Sequence, residues 1–239
     1  MFRHKGKSRT YTHNLRLAAM LSFVAGMVNI SGVMALSVLT TNITGHFAYF
    51  SEEIVLQKYS FALVSLLYIL AFLLGAFVSN LLIEILNRKS ILFAYIVPMS
   101  VEILFLSIIA LAGITFLDVR LIACMLLFAM GLQNALVTKV SNSLVRTTHL
   151  TGLFTDLGIE LSQLIFHRSN KLNFKKLVQS IKLKLTIIFC FFTGCLLGGV
   201  LYGKLLLHTL LVAVVVLIVA LFYDYIRLRY YYFRRKFRH

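Results

Sequence analysis

Apolar positions run in long stretches along most of the chain and are separated by short polar breaks. A helix crosses the hydrocarbon core of a bilayer with roughly 20 mainly apolar residues. The pattern therefore predicts six membrane-spanning helices, near residues 15–38, 59–86, 90–116, 119–140, 182–203 and 205–226. Two further segments, 42–57 and 149–167, are too short and too polar to cross alone, and we expect each to be a short broken or re-entrant helix.

The two short segments belong to a pattern that occurs twice. Asn29 lies within the first span and is followed by Thr41-Asn-Ile-Thr-Gly45, while Asn134 lies within the fourth span and is followed by Thr148-His-Leu-Thr-Gly152. Because each half has three spans, an odd number, the second half must enter the membrane from the opposite face, as in the inverted repeats of secondary transporters. The predicted divisions are a basic cytoplasmic N-terminus (1–14), a first three-span repeat (15–117), a second, inverted three-span repeat (118–227) and a basic aromatic cytoplasmic tail (228–239).

Composition agrees with this interpretation. Of the 239 residues, 60% are apolar and 13% are charged, against about 45–50% and about 25% in soluble domains. A soluble domain of this size does not bury that much apolar surface in one core. The fold class is therefore an all-α integral membrane protein, and a secreted disulfide scaffold, a disordered protein and an ordinary cytosolic enzyme are excluded.

The charge is strongly basic, with 24 Lys and Arg against 8 Asp and Glu and a net charge of +16. With six spans, all but three of these basic residues fall on one side of the membrane, the exceptions being Lys58, Arg120 and Lys204. Short loops rich in Lys and Arg stay cytoplasmic, so both termini are predicted inside a bacterial cytoplasmic (inner) membrane. We attribute the charge to this topology and to anionic lipids of the bilayer, and we expect no nucleic-acid partner.

The repeated motifs carry the candidate binding side chains. An amide within a span needs hydrogen-bond partners, either on another helix, where it holds the repeats together, or on a ligand. The T-x-[I/L]-T-G breaks offer hydroxyls that cap helices, and a helix that starts at such a break directs free N–H groups towards an anion or carboxylate. The predicted substrate-binding residues are Asn29, Thr41, Thr44, Gly45, Gln133, Asn134, Thr148, His149, Thr151 and Gly152. Gly26 and Gly131 are interpreted as positions of close helix packing.

Three acidic residues are candidates for proton or cation coupling, Glu102, Asp156 and Glu160. Glu102 is the most deeply placed, one turn after Pro98, and an ionisable group at membrane depth is a functional candidate by default. Asp156 and Glu160 lie one turn apart on a polar stripe that ends at His167, and adjacent carboxylates split their pKa values. The alternative for this pair is a structural one, ion pairing with Arg146 or nearby lysines.

Several blocks of the sequence resemble a known family. They are the stretches at 25–29 and 41–45, Phe128-Ala-Met-Gly-Leu-Gln-Asn-Ala135, and Arg146-Thr-Thr-His-Leu-Thr-Gly152 with Thr155-Asp156 after it. Together they resemble the YoaK-like membrane proteins (domain of unknown function 1275) over nearly the whole chain. In that family the position of Asn29 is often Asp, and that of His46 is often Asn. The resemblance implies a six-span membrane protein of the kind labelled a permease, and it supplies no substrate.

The combined interpretation is a secondary transporter of a small anionic or zwitterionic solute, with proton coupling as an option and the solute site at the repeat interface. We expect no enzyme activity, cofactor or metal, because neither Cys/His metal spacing nor HExxH or GxSxG occurs. Three alternatives stay open, namely a channel of the same architecture, a lipid-handling enzyme and an assembly factor. A homo-oligomer is likewise open.

Overall fold

The computed structural model describes residues 11–88, 91–141, 143, 145–166 and 171–222, and these residues are almost entirely α-helical. The predicted cytoplasmic tail 228–239, most of the N-terminal segment 1–14, and His167 lie outside the described residues. The helices are α1 (Tyr11–Leu36), α2 (Ile43–Val55), α3 (Tyr59–Asn87), α4 (Ile91–Phe116), α5 (Val119–Val140), α6 (Leu150–Phe166) and α7 (Lys171–Leu205). A 3₁₀ turn, Leu206–Thr209, connects α7 to a last helix, α8, over residues 210–222.

Five helical stretches within the described ranges are long and apolar enough to cross a membrane. They are Tyr11–Leu36, Tyr59–Asn87, Phe93–Phe116, Val119–Val140 and Asn173–Phe222. The last covers 50 residues, about 75 Å of continuous helix against a hydrocarbon core of about 30 Å. Its backbone is interrupted at Leu206, where φ is 50°, and α7 and α8 both contribute side chains to one core. The protein is a helical membrane protein, and the count of six spans stays a prediction.

The two short predicted segments are confirmed as short helices, α2 and α6. The predicted fifth span, near 182–203, lies within α7, which begins earlier, at Lys171. Between residues 171 and 193 there is no glycine or proline, and lysine, glutamine and leucine are good helix formers. The basic residues before position 182 therefore extend the helix beyond the predicted span. The hydropathy pattern marked only the apolar part of α7.

The helices α1 and α7 pack against each other through two glycines. A Cβ atom at Gly26 would overlap the carbonyl oxygen of Phe191, and a Cβ atom at Gly194 would overlap the carbonyl oxygen of Phe23. Each glycine thus lets the backbone of the other helix approach directly, as small residues do in membrane helix pairs.

The helices α3 and α5 repeat this arrangement. A Cβ atom at Gly75 would overlap the carbonyl oxygen of Phe128, and one at Gly131 would overlap that of Phe72. All four helices carry the sequence F-x-x-G at the contact, and we call the two contacts the glycine crossings. The prediction that Gly26 and Gly131 serve close packing is confirmed.

Candidate functional site

The first-repeat candidates hold the loop between α1 and α2. The Oδ1 atom of Asn29 accepts hydrogen bonds from the Thr41 N–H (3.3 Å) and the Thr41 hydroxyl (3.0 Å). The helix α2 begins at Ile43, inside the break 41–45. Its N-cap is Asn42, whose Oδ1 accepts from the Gly45 N–H at 3.1 Å. Asparagine is a better N-cap than threonine, and Thr44 is left exposed in the first turn.

His46 on α2 is buried, and sequence reasoning did not place it in a site. Its Nε2 atom lies 2.8 Å from the carbonyl oxygen of Leu39, to which it donates when this nitrogen carries the proton. Its ring meets Tyr68 of α3 edge to face, with centroids 5.5 Å apart. Burial lowers the pKa of His46 below its usual value, and the hydrogen bond to Leu39 opposes this only in part.

A fully buried polar chain joins α4, α5 and the loop before α6. Gln133 donates from Nε2 to Oε1 of Glu102 at 2.9 Å, and the Thr147 hydroxyl lies 3.5 Å from Oε1 of Gln133. The other carboxyl oxygen of Glu102 has no hydrogen-bond partner in the described part of the chain. We call these three residues the buried chain. Sequence reasoning selected Glu102 and Gln133, but it selected Thr148 rather than its neighbour Thr147, because Thr148 begins the repeated T-x-[I/L]-T-G motif.

A cavity of about 720 Å³ lies between the start of α1, the loop 141–149, α6 and α7. We call it the inner cavity, after the predicted topology. Its volume is within the usual range of about 300–1,000 Å³ for ligand pockets. Its charged or titratable lining includes Arg146, His149, Asp156, Lys176 and Lys184. Gly152, another predicted site residue, also lines it.

Most of these charged side chains have no partner within the described part of the chain. The side chains of Arg146, His149, Asp156 and Lys176 make no hydrogen bond or ion pair with another described residue, although all four line the same cavity. Their exposure to this space means that the charges are solvated rather than buried. The cavity therefore presents both signs of charge to whatever enters it.

Glu160 differs from its neighbour Asp156. One carboxyl oxygen accepts from the Ser180 hydroxyl at 2.6 Å and from the Lys184 ammonium group at 2.5 Å. The glutamate and lysine side chains are only 17% and 13% exposed. This pair joins α6 to α7, which is the structural alternative that the sequence left open for Glu160.

The structure does not place the two repeated asparagines in equivalent settings. Asn29 is engaged with its loop, whereas the buried Oδ1 atom of Asn134 has no partner among the described residues. Asn134 lines a groove between α3 and α5 that shares Ser143 with the inner cavity. Thr148 is half-buried and Thr151 is exposed on the first turn of α6, and neither is among the residues that line the inner cavity.

No group of three or more His, Cys, Asp or Glu residues in the described ranges is arranged to hold a metal ion. The three cysteines, Cys124, Cys190 and Cys195, are free and half-buried. The described residues offer charged side chains around the inner cavity and, at Glu102, a buried carboxyl group with one oxygen unpartnered among them.

Comparison with known proteins gives the family and no function. The model of the family described as "Protein of unknown function (DUF1275)" matches residues 17–223, which is most of the chain. No curated protein and no solved structure matches this chain. The resemblance inferred from the motifs is therefore confirmed, and the chain belongs to the DUF1275 family.

Proposed function

We propose that the protein is a secondary transporter of a small anionic or zwitterionic solute, and that the inner cavity is its cytoplasm-facing binding site. The observation that carries the proposal is the convergence of Arg146, His149, Asp156 and Lys176 on one cavity without partners among the described residues. A guanidinium group binds a carboxylate or phosphate through paired hydrogen bonds. A carboxylate in the same cavity suits an amine, so a zwitterion would use both signs of charge.

The loop before α6 connects this cavity to the middle of the membrane. Arg146 and His149 line the cavity, whereas Thr147, between them, is fully buried and contacts Gln133. A solute that draws Arg146 towards it would move Thr147, and through Gln133 it would act on the carboxyl group of Glu102. Glu102 has no ion-pair partner among the described residues, so a proton would be the group that neutralises its carboxylate. We assign it the role of the coupling group.

The two glycine crossings support the inverted-repeat architecture that such a transporter needs. The crossing of α1 with α7 has the same F-x-x-G contacts as the crossing of α5 with α3. A two-fold axis that relates repeat 15–117 to repeat 118–227 superposes α1 on α5 and α3 on α7. It therefore superposes the α1–α7 crossing on the α5–α3 crossing. With α8 as the partner of α4, the same relation gives six spans.

A thermal-stability screen tests the binding site. The purified protein in mild detergent is heated with a panel of small carboxylates, phosphates and amino acids, at pH 6 and pH 8. A ligand that binds only the native state adds about 2.7 kcal/mol at about 100 times its Kd, which raises the melting temperature by several degrees. We expect a stabilising compound whose effect is lost in Arg146→Gln and Asp156→Asn.

Lys175→Gln is the matched control, because Lys175 is an exposed neighbour of Lys176 that is absent from the cavity lining. It should keep the full ligand effect. If no compound of the panel shifts the wild-type melting temperature, or if the shift is the same in all variants, the inner cavity is not the solute site.

A further inference from the structure

A second depression lies beside the inner cavity, between α6 and α7. It has a volume of about 380 Å³ and is lined by Glu160, Gln163, Asn173, Lys176, Leu177 and Ser180. Lys176 and Ser180 also line the inner cavity. Because Glu160 lines the second depression and Lys184 lines the inner cavity, their ion pair lies where the two spaces meet.

The Glu160–Lys184 pair leaves one carboxylate oxygen without a partner. Oε1 of Glu160 accepts from both Lys184 and Ser180, and the Lys184 ammonium group also donates to the Ser180 hydroxyl oxygen at 3.0 Å. Oε2 of Glu160 is buried and has no hydrogen-bond partner in the described part of the chain. An ion pair offsets the cost of desolvation only if further hydrogen bonds satisfy the remaining lone pairs. Another oxyanion can therefore compete with Glu160 for the ammonium group.

The first repeat makes the equivalent contact without a cation. Counted from the T-x-[I/L]-T-G breaks, Glu160 corresponds to Glu53 of α2. Counted from the F-x-x-G sequences of α3 and α7, Lys184 corresponds to Ser65. The Ser65 hydroxyl donates to Oε2 of Glu53 at 2.8 Å. A neutral hydroxyl thus joins the short helix to the following span, and the positive charge of Lys184 exceeds what this contact requires.

We propose that Lys184 binds the anionic group of the solute, a carboxylate or phosphate, and that Glu160 holds the ammonium group until the solute displaces it. The inference rests on the proposed function and adds Lys184 to the site that contains Arg146 and Lys176. An ammonium group on a flexible stem has three donors that rotate freely, so it passes from one oxyanion to another with little rearrangement. Because the pair joins α6 to α7, the exchange releases α6 when the solute is bound.

The anion affinities of two variants test the exchange, because it predicts opposite effects for them. The purified full chain in mild detergent is titrated with inorganic phosphate or succinate, against sodium chloride of equal ionic strength, and the Kd is taken from the rise of the thermal midpoint. Lys184→Gln removes a charge-assisted hydrogen bond to the anion, so binding should weaken about tenfold or more. Glu160→Gln removes the competing carboxylate, so binding should tighten about twofold or more.

Two further variants separate the exchange from a general effect of charge. The double variant Glu160→Gln/Lys184→Gln should bind the anion like Lys184→Gln alone, because Glu160 acts on the anion through Lys184. Lys182→Gln removes the same charge from the same helix, and Lys182 is exposed and absent from the cavity lining. It should bind like wild type.

The inference is overturned if Lys184→Gln binds the anion as tightly as wild type. It is also overturned if Glu160→Gln weakens binding, which is the result expected of a pair that only holds α6 against α7. If Lys184→Gln does not fold, the direction of the Glu160→Gln effect decides. Binding that is lost in Arg146→Gln but unchanged in Lys184→Gln would leave the proposed function standing. If neither anion binds wild type, the inference fails, and the proposed function stands only if another compound of the panel binds.

Discussion

At the scale of single residues, the arrangement around Glu102 determines most of the proposed mechanism. The carboxyl group is fully buried in α4, and the amide of Gln133 is its hydrogen-bond partner. An amide group orients a carboxyl without neutralising it, so the group is left available for a proton. The hydroxyl of Thr147 contacts the amide of Gln133. A movement of the loop beside the inner cavity would therefore change this contact.

Gln133→Leu should destabilise the protein. It leaves Oε1 of Glu102 and the Thr147 hydroxyl buried without their partner, and an unsatisfied buried group costs about 1–3 kcal/mol. The thermal midpoint in detergent should fall accordingly. Glu102→Gln is the matched control, because its amide oxygen still accepts from Gln133, and it should lose much less. Equal midpoints for Gln133→Leu and wild type would show that the buried chain contributes nothing to the fold.

His46 predicts a pH dependence of stability. Its pKa is lowered in the folded protein, so the unfolded chain binds more protons as the pH falls through about 6.5. The stabilisation is complete above that pH and is lost below it. The thermal midpoint of wild type should therefore fall between pH 7.5 and pH 5, and His46→Gln should fall less. An identical decline in both proteins would contradict the assignment.

The sequence identified candidate residues but not the contacts that each of them makes. Glu102 and Gln133 were selected because polar groups in apolar spans are conspicuous, and the structure brings the two together. The equivalence of Asn29 and Asn134 was an expectation from the repeat, but Oδ1 of Asn29 accepts from Thr41 whereas Oδ1 of Asn134 has no partner among the described residues. Thr148 follows Asn134 by 14 residues, whereas Thr41 follows Asn29 by 12. A sequence alignment cannot say which hydroxyl the longer loop turns inward.

At the scale of helices, the glycine crossings fix how the two halves pack. They were predictable in part, since glycine beside alanine within a span favours close packing. Their partners, Gly75 and Gly194, did not stand out as packing positions, because the contact depends on which helices meet. The predicted span near 182–203 covers only part of α7, because hydropathy marks the apolar part of a helix and not its full length.

Gly131→Ala should separate α3 from α5. The added methyl group would overlap the Phe72 carbonyl oxygen, and a backbone cannot rotate away as a side chain does. Overpacking of this kind costs about 1–3 kcal/mol or more, so the thermal midpoint should fall by several degrees. Gly203→Ala is the control on α7, because nothing lies within 4 Å of its Cβ position, and Gly→Ala in a helix is otherwise favourable by about 0.5–1 kcal/mol. A Gly131→Ala midpoint at or above that of Gly203→Ala would contradict the packing role.

At the scale of the whole molecule, the fold class follows from composition and hydropathy alone. Apolar residues make up 60% of the chain, and many leucine and phenylalanine side chains are exposed on the helices. A surface of this kind is stable in a lipid bilayer. The inner cavity was not predictable in this way. It forms where the start of α1 meets the loop before α6, α6 itself and α7, which lie far from the start of α1 in sequence. Only three predicted site residues, His149, Gly152 and Asp156, lie in it.

The central claim is that this molecule moves a charged solute across the membrane and couples its passage to Glu102. The most direct test is solute-driven proton movement in proteoliposomes that contain a pH-sensitive dye, with the same panel of carboxylates, phosphates and amino acids. For wild type we predict a saturable change of internal pH with at least one compound. Glu102→Gln should still take up that compound by exchange, measured with a radiolabel, and should move no protons. Solute and proton fluxes no larger than in protein-free liposomes, for every compound in the panel, would contradict the account.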